Sequence, residues 1–193
     1  MNQSRLIFVH GGQGCGKSTV TNLLREKMLH TTLMRLAGVP AEQLTPNQAA
    51  FNYHFATLQT AKLSAETGMN FVFDRSYLCE KVYANLGFKT HSFATETEEL
   101  TRQIKRLTDH YSVEFILLTA SENVLKERLK RGDKPQFEQV SFNAMNSINQ
   151  QKSYLEEFSK LPKEVSCRVI NTDNLTPEEI ADQIINQKEG VLK

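Results

Sequence analysis

A run of apolar residues, Leu6 to Val9, leads through His10 into Gly11-Gly12-Gln13-Gly14-Cys15-Gly16-Lys17-Ser18-Thr19. No other stretch restricts the possible folds as tightly. Gly11 and Gly16 bracket four residues and are followed by Lys17 and Ser18, the G-x-x-x-x-G-K-[ST] spacing of a phosphate-binding loop set between a buried strand and a helix. Glycines accept positive φ and carry no Cβ, so consecutive backbone N–H groups can turn inward on phosphate oxygens. The helix opening near Lys17 adds its positive dipole end to the same spot. Lys17 supplies a cation for the β- and γ-phosphates, and Ser18 offers a hydroxyl to Mg²⁺. Residues 11 to 19 are therefore expected to hold a nucleoside triphosphate; the alternative is a tight strand-to-helix turn whose glycines serve geometry alone.

The chain has 193 residues, 39% of them hydrophobic, and no biased tract. That suffices for one well-buried core, so a single domain over 1–193 is expected. Lys and Arg total 23 against 22 Asp and Glu, and the net charge of +1 gives no electrostatic footprint for nucleic acid or a membrane surface. Cys15, Cys79 and Cys167 are widely spaced, which suggests neither a disulfide framework nor a zinc site. With no leader pattern and no apolar run of membrane-spanning length, a cytoplasmic protein is expected.

Periodicity sketches the rest. Val20, Leu23, Leu24 and Met28 predict a helix after the loop, and 32–36 a short strand. Thr45, Pro46 and Gln48 form a helix start, with Phe51, Phe55 and Leu58 on one face and a stop near Gly68. Asn70 to Phe73 is a strand ending in Asp74-Arg75-Ser76, and 77–86 a helix. Leu100, Ile104, Leu107 and Tyr111 mark another, with Thr95 and Glu98 as its capping box. Glu114 to Leu118 is a strand, Ser121 caps the helix carrying Leu125 and Leu129, and Gly132 to Gln139 is a polar, mobile connection. Phe142, Met145, Ile148, Leu155 and Phe158 predict a long helix, Cys167 to Ile170 a strand, and Thr176-Pro177-Glu178-Glu179 a final helix start. Strands alternating with helices predict an α/β three-layer sandwich around a five-stranded parallel sheet.

Chemistry points to two further places. Asp74, ending the strand beside the loop strand, can hold Mg²⁺ through water or accept a proton, and Arg75 can clamp an anionic acceptor. A surface ion pair is the plainer reading. Arg128 and Arg131 are three apart at a helix end, so both can face one side and stabilise charge as a phosphoryl group leaves; solvated charge at a helix C-terminus is the alternative.

The loop, the Asp74-Arg75-Ser76 strand end, the Arg128/Arg131 segment and the late Ile170-Asn171-Thr172-Asp173 strand end together resemble the thymidylate kinase and deoxynucleoside kinase branch of P-loop kinases, over nearly the whole chain. The resemblance implies ATP as phosphate donor, Mg²⁺, and a small nucleoside or nucleotide acceptor, with a homodimer as one oligomeric option. It makes Arg75 an acceptor ligand, Arg128 and Arg131 residues of a lid at about 131–140, and Thr172 and Asp173 neighbours of the donor base. Phe51, Tyr53, His54 and Phe55 would line the acceptor-base pocket, with Glu80 beside Arg75; a packed aromatic core face is the alternative for the four aromatic residues. One departure bears on the substrate: the acid usual after the second strand is missing from 33–40, with Glu42 the first candidate. A monophosphate acceptor is already an anionic nucleophile and needs no base, so a thymidylate-kinase-like reaction is expected. The alternatives are a deoxynucleoside kinase, a kinase acting on a hydroxyl of nucleic acid or another metabolite, and a non-catalytic nucleotide sensor.

Overall fold

The computed structural model describes residues 3–35, 45–89, 92–130 and 143–186. Strand β1 (Arg5–Gly11) is buried from Leu6 onward on both faces. A strand with apolar residues at consecutive positions is suited only to the middle of a covered sheet. It lies there: the order is β2-β3-β1-β4-β5, with β2 Thr31–Arg35, β3 Asn70–Asp74, β4 Ser112–Thr119 and β5 Ser166–Asn171. All pairs are parallel, as the alternation of strands and helices predicts.

Successive residues of β1 point to opposite faces and seed two cores. Leu6 and Phe8 join Phe71, Phe73 and Phe115 under α2 (Pro46–Leu63), α3 (Leu78–Asn85), α4 (Ala94–Leu107) and the C-terminal half of α6 (Ala144–Phe158). Ile7 and Val9 face α1 (Lys17–Lys27), α5 (Glu122–Leu129) and α7 (Pro177–Ile185). These are the three layers expected. No described helix is long and apolar enough to cross a membrane.

Thr45 and Thr176 both close full capping boxes, with Gln48 and Glu179. Gly68 (φ 73) ends a 3-10 turn, Ala65–Thr67, that follows α2. Four expectations are corrected. Helix α4 begins at Ala94 behind Phe93 with no side-chain cap, so Thr95 and Glu98 lie inside its first turns, and the wholly buried Phe93 anchors the start instead. Tyr111 lies beyond α4, where its hydroxyl donates to the Ala61 carbonyl at 2.8 Å. Helix α6 turns inward a mixed face of Ser147, Gln151, Tyr154 and Phe158, while Met145 is 53% and Leu155 39% exposed. Ser121 precedes α5 without a capping side-chain bond. Leu36, Glu42, Phe142, the 132–139 connection and the 131–140 lid lie outside the described residues.

Toward the N-terminal ends of the strands, Glu114 (4% exposed) accepts from Arg5 at 2.7 Å and from Arg168 at 3.0 Å. The same arginines donate to the carbonyls of Gln183, Ile184 and Ile185, which end α7. One buried carboxylate thereby ties the first strand, the fourth strand, the fifth strand and the last helix.

Candidate functional site

Strand order decides where chemistry can gather. β1 is central and β3 is its neighbour, with Val9 opposite Asp74, so the glycine-rich loop and Asp74-Arg75-Ser76 emerge side by side at the C-terminal sheet edge. Helix α1 opens at Lys17 behind Gly16, which has φ 84 and offers no side-chain cap. Its first N–H groups therefore lack a capping oxygen and present a positive dipole end to the loop.

Lys17 is 6% exposed and its Nζ donates to the Gly12 carbonyl at 2.8 Å. Burial, with Arg75 nearby, pushes its pKa down to about 8. Ser18 Oγ donates to Asp74 Oδ2 at 2.7 Å, while Asp74 Oδ1 is buried and finds no hydrogen-bond partner. A lone buried carboxylate oxygen beside a hydroxyl is a donor set suited to a hard cation such as Mg²⁺. Among the described residues no cluster of three or more His, Cys, Asp or Glu is placed to hold a metal, so a cation here would share its ligands with bound phosphates.

The loop, Arg75 and Arg128 wall a cleft of about 520 Å³, whose other side is apolar: Leu129, Leu175, Pro177 and Ile180. The arrangement fits a polyanion at one end and a flat apolar group at the other. Arg128 donates to Gly14 O at 3.3 Å, Thr172 Oγ1 at 2.9 Å and Thr172 O at 2.8 Å, fastening the end of α5 to both the phosphate loop and the late loop. Thr172 is fully buried, its N–H bonded to Thr119 O. Asp173 accepts from the Ser121 N–H at 2.8 Å and so holds the start of α5. Arg131 lies outside the described residues.

Among the residues expected to contact an acceptor, Arg75 donates to the Tyr83 hydroxyl at 2.7 Å. Phe51 and Phe55 stack at 5.6 Å and are partly buried. His54 is 5% exposed and lies with Phe8, Phe73 and Tyr77; burial pushes its pKa down to about 4. Tyr53 donates to Arg35 O at 3.0 Å, and Glu80 pairs with Lys89. The structure thus gathers Lys17, Ser18, Asp74, Arg75, Arg128 and Thr172, but Phe51, His54, Phe55 and Glu80 do not line the loop's cleft.

Two groups escaped the sequence reading. Ser147 Oγ donates to Gln13 O at 2.8 Å and Gln151 Nε2 to Ala120 O at 3.1 Å, bracing the loop from outside. The polar pair four apart on α6 was the available signal. His10, wholly buried, meets Ser76 Oγ at 2.8 Å and stacks on Phe115; burial pushes its pKa down to about 3, so it is neutral.

No family profile and no curated protein matches the chain. Solved structures do. The Bacillus subtilis YorR protein, solved in complex with phosphorylated GDP, is similar at TM-score 0.68 and 24% identity, covering 94% of each chain. Thymidylate kinase from Candida albicans is similar at TM-score 0.65 and 14% identity, over 98% of this chain and 97% of its own. Deoxyadenosine kinase from M. mycoides, solved with dCMP and dCDP, is similar at TM-score 0.54 and 16% identity, over 94% and 97%. At such identities the likeness concerns architecture. The chain has the fold of the P-loop nucleotide and nucleoside kinases.

Proposed function

We propose that the protein is an ATP-dependent phosphotransferase whose acceptor is a nucleoside monophosphate, in the manner of thymidylate kinase. The observation that carries this reading is the state of the charged groups at the acceptor end. Arg75 reaches the cleft with no carboxylate in ion-pair distance among the described residues. The acids nearest it are engaged: Asp74 with Ser18, Glu80 with Lys89. Arg75 feels the Asp74 charge but makes no ion pair with it, so its fork is left open to an anionic acceptor, and an anionic acceptor needs no general base.

In the reaction, an acceptor phosphate oxygen attacks the γ-phosphorus in line. The bond from that phosphorus to the β–γ bridging oxygen breaks, and ADP leaves with the electron pair. The loop amides and Lys17 bind the donor phosphates and stabilise the leaving charge. Arg75 orients the acceptor. Arg128 fixes the donor end, with Arg131 proposed for the neighbouring charge. Ser18 and Asp74 would hold Mg²⁺, which supplies neutralisation of the β- and γ-phosphate charge.

One observation favours a second reading. Asp74 Oδ1, buried and unpartnered, would also serve to take the proton of a deoxynucleoside hydroxyl. A screen of ADP formation against the common nucleosides and nucleoside monophosphates, with and without Mg²⁺, separates the two. Mg²⁺-dependent turnover of a monophosphate, absent in Lys17→Ala, is expected. Turnover of nucleosides alone selects the second reading, and no turnover with any acceptor refutes both.

A further inference from the structure

We infer that Tyr83 is a positioning residue for Arg75, and that this phenol–guanidinium pair selects acceptors carrying a phosphate over neutral ones. The inference rests on the kinase reading above and adds to it a residue and a reason for the acceptor's charge.

Arg75 is held at both ends. Its backbone has φ 82, a conformation that bulky L residues rarely adopt, and its N–H donates to Val9 O at 3.0 Å. The turn out of β3 is thus locked to the strand that carries the phosphate loop. Its Nη1 donates to the Tyr83 hydroxyl at 2.7 Å, eight residues on along α3. Tyr83 is itself seated edge-on against Phe88, with ring centroids 6.0 Å apart at 79°.

The choice of a phenol matters. A guanidinium has five N–H donors in a fixed fork, and Tyr83 occupies one edge of it, leaving others for a ligand. A carboxylate in the same place would orient Arg75 equally well but would cancel its charge and repel a phosphate. A phenol gives direction without neutralisation. Because the Tyr83 oxygen accepts from Arg75, its own O–H proton is left to donate elsewhere, and a phosphate oxygen held by the fork is the matching acceptor. The buried Lys17 ammonium lies near enough to Arg75 to feel its charge. The Asp74 carboxylate offsets part of the repulsion between the two cations, and an incoming phosphate is attracted by both and relieves what remains. A neutral nucleoside gains none of this.

The test is calorimetric titration of the full chain with the four common deoxynucleoside 5′-monophosphates, the matching nucleosides, and ATP. Tyr83→Phe keeps the ring, and hence the contact with Phe88; it is expected to weaken monophosphate binding roughly tenfold while ATP and nucleoside affinities stay as in the parent. In an Arg75→Ala background the same change is expected to add nothing, because its effect runs through Arg75. Tyr83→Glu is expected to weaken monophosphates more than Tyr83→Phe does, although it holds Arg75 at least as firmly, which a purely structural role does not predict. Additive effects of Tyr83→Phe and Arg75→Ala, equal losses for ATP and monophosphate, or parent-like monophosphate binding by Tyr83→Glu overturns the inference. If the parent protein binds no monophosphate, the proposed function itself fails. If it binds one and the variants behave additively, only the role of Tyr83 falls.

Discussion

Gly12 occupies a position that the bare loop spacing leaves open to any residue, yet the structure admits only glycine there. A Cβ on Gly12 would stand 2.7 Å from Ser147 O and 2.8 Å from both Ser147 Cα and Cβ. Two of those three atoms are backbone of α6, so no rotamer change relieves the clash. For Gly12→Ala, loop and helix must part by several tenths of an ångström, and overpacking of this kind costs about 1–3 kcal/mol. The adjacent Ser147 Oγ to Gln13 O bond, 2.8 Å long, is strained by the same displacement and adds about 1 kcal/mol if lost. In a chain of 193 residues a loss of about 2–4 kcal/mol lowers the melting temperature by roughly 4–16 °C. Because the displaced segment carries the amides that would grip phosphate, ATP affinity is expected to fall by about tenfold or more. Urea unfolding paired with calorimetric ATP titration measures both quantities. Ser147→Gly removes one of the three contacts and does not restore the variant. A Gly12→Ala protein that melts and binds ATP like its parent refutes the idea that α6 braces the loop.

Arg128→Ala gives up three hydrogen bonds between α5, the phosphate loop and the late loop, so the Michaelis constant for ATP should rise about tenfold with that for the acceptor unchanged; equal rises would contradict its assignment to the donor end. Burial holds His10 at about 3 and His54 at about 4, both below the ordinary 6.5. The unfolded chain therefore takes up protons first, and stability should fall as pH drops from about 6.5 toward 4, by about 1.4 kcal/mol per pH unit for each histidine at the steepest. Urea midpoints that stay level across this range, or that keep the same slope in His54→Gln, would oppose this. Glu114→Gln leaves Arg5 and the buried Arg168 without their shared carboxylate and should cost about 3–5 kcal/mol, while turnover per folded molecule is retained because the cluster sits away from the cleft. A parent-like melting temperature would show that the arginines are satisfied by the helix carbonyls alone.

What could be read from the chain was what is locally encoded. The phosphate loop, the capping boxes at Thr45 and Thr176, and the alternation of strand and helix each rest on residues a few positions apart, and all are present in the fold. The misreadings came where a distant partner decides. Helix α6 has apolar residues at helical spacing, but its N-terminal half meets loop backbone rather than a sheet, and carbonyls such as Gln13 O and Ala120 O want donors; Ser147 and Gln151 therefore face inward. Thr95 and Glu98 have capping-box spacing, yet the burial of Phe93 sets the start of α4 two residues earlier than that spacing requires. The left-handed backbone of Arg75 has no glycine to announce it. Among the site residues, Asp74 and Ser18 meet because β1 and β3 are neighbours, which strand alternation suggests but does not specify. Whether His54 faced a ligand or the interior was open in the sequence; the structure seats it among Phe8, Phe73 and Tyr77.

The central position of β1 has a bearing on how this chain is made. Of the five strands of this sheet it leaves the ribosome first, yet Leu6 pairs with Phe71 on one side and Val113 on the other, so its neighbours are translated much later. Until then a stretch of consecutive apolar side chains has no sheet to enter and is open to association with other nascent chains. Cotranslational rescue by chaperones, or translation fast enough to deliver β4 early, should therefore govern the yield of soluble protein more strongly than the stability of the finished fold.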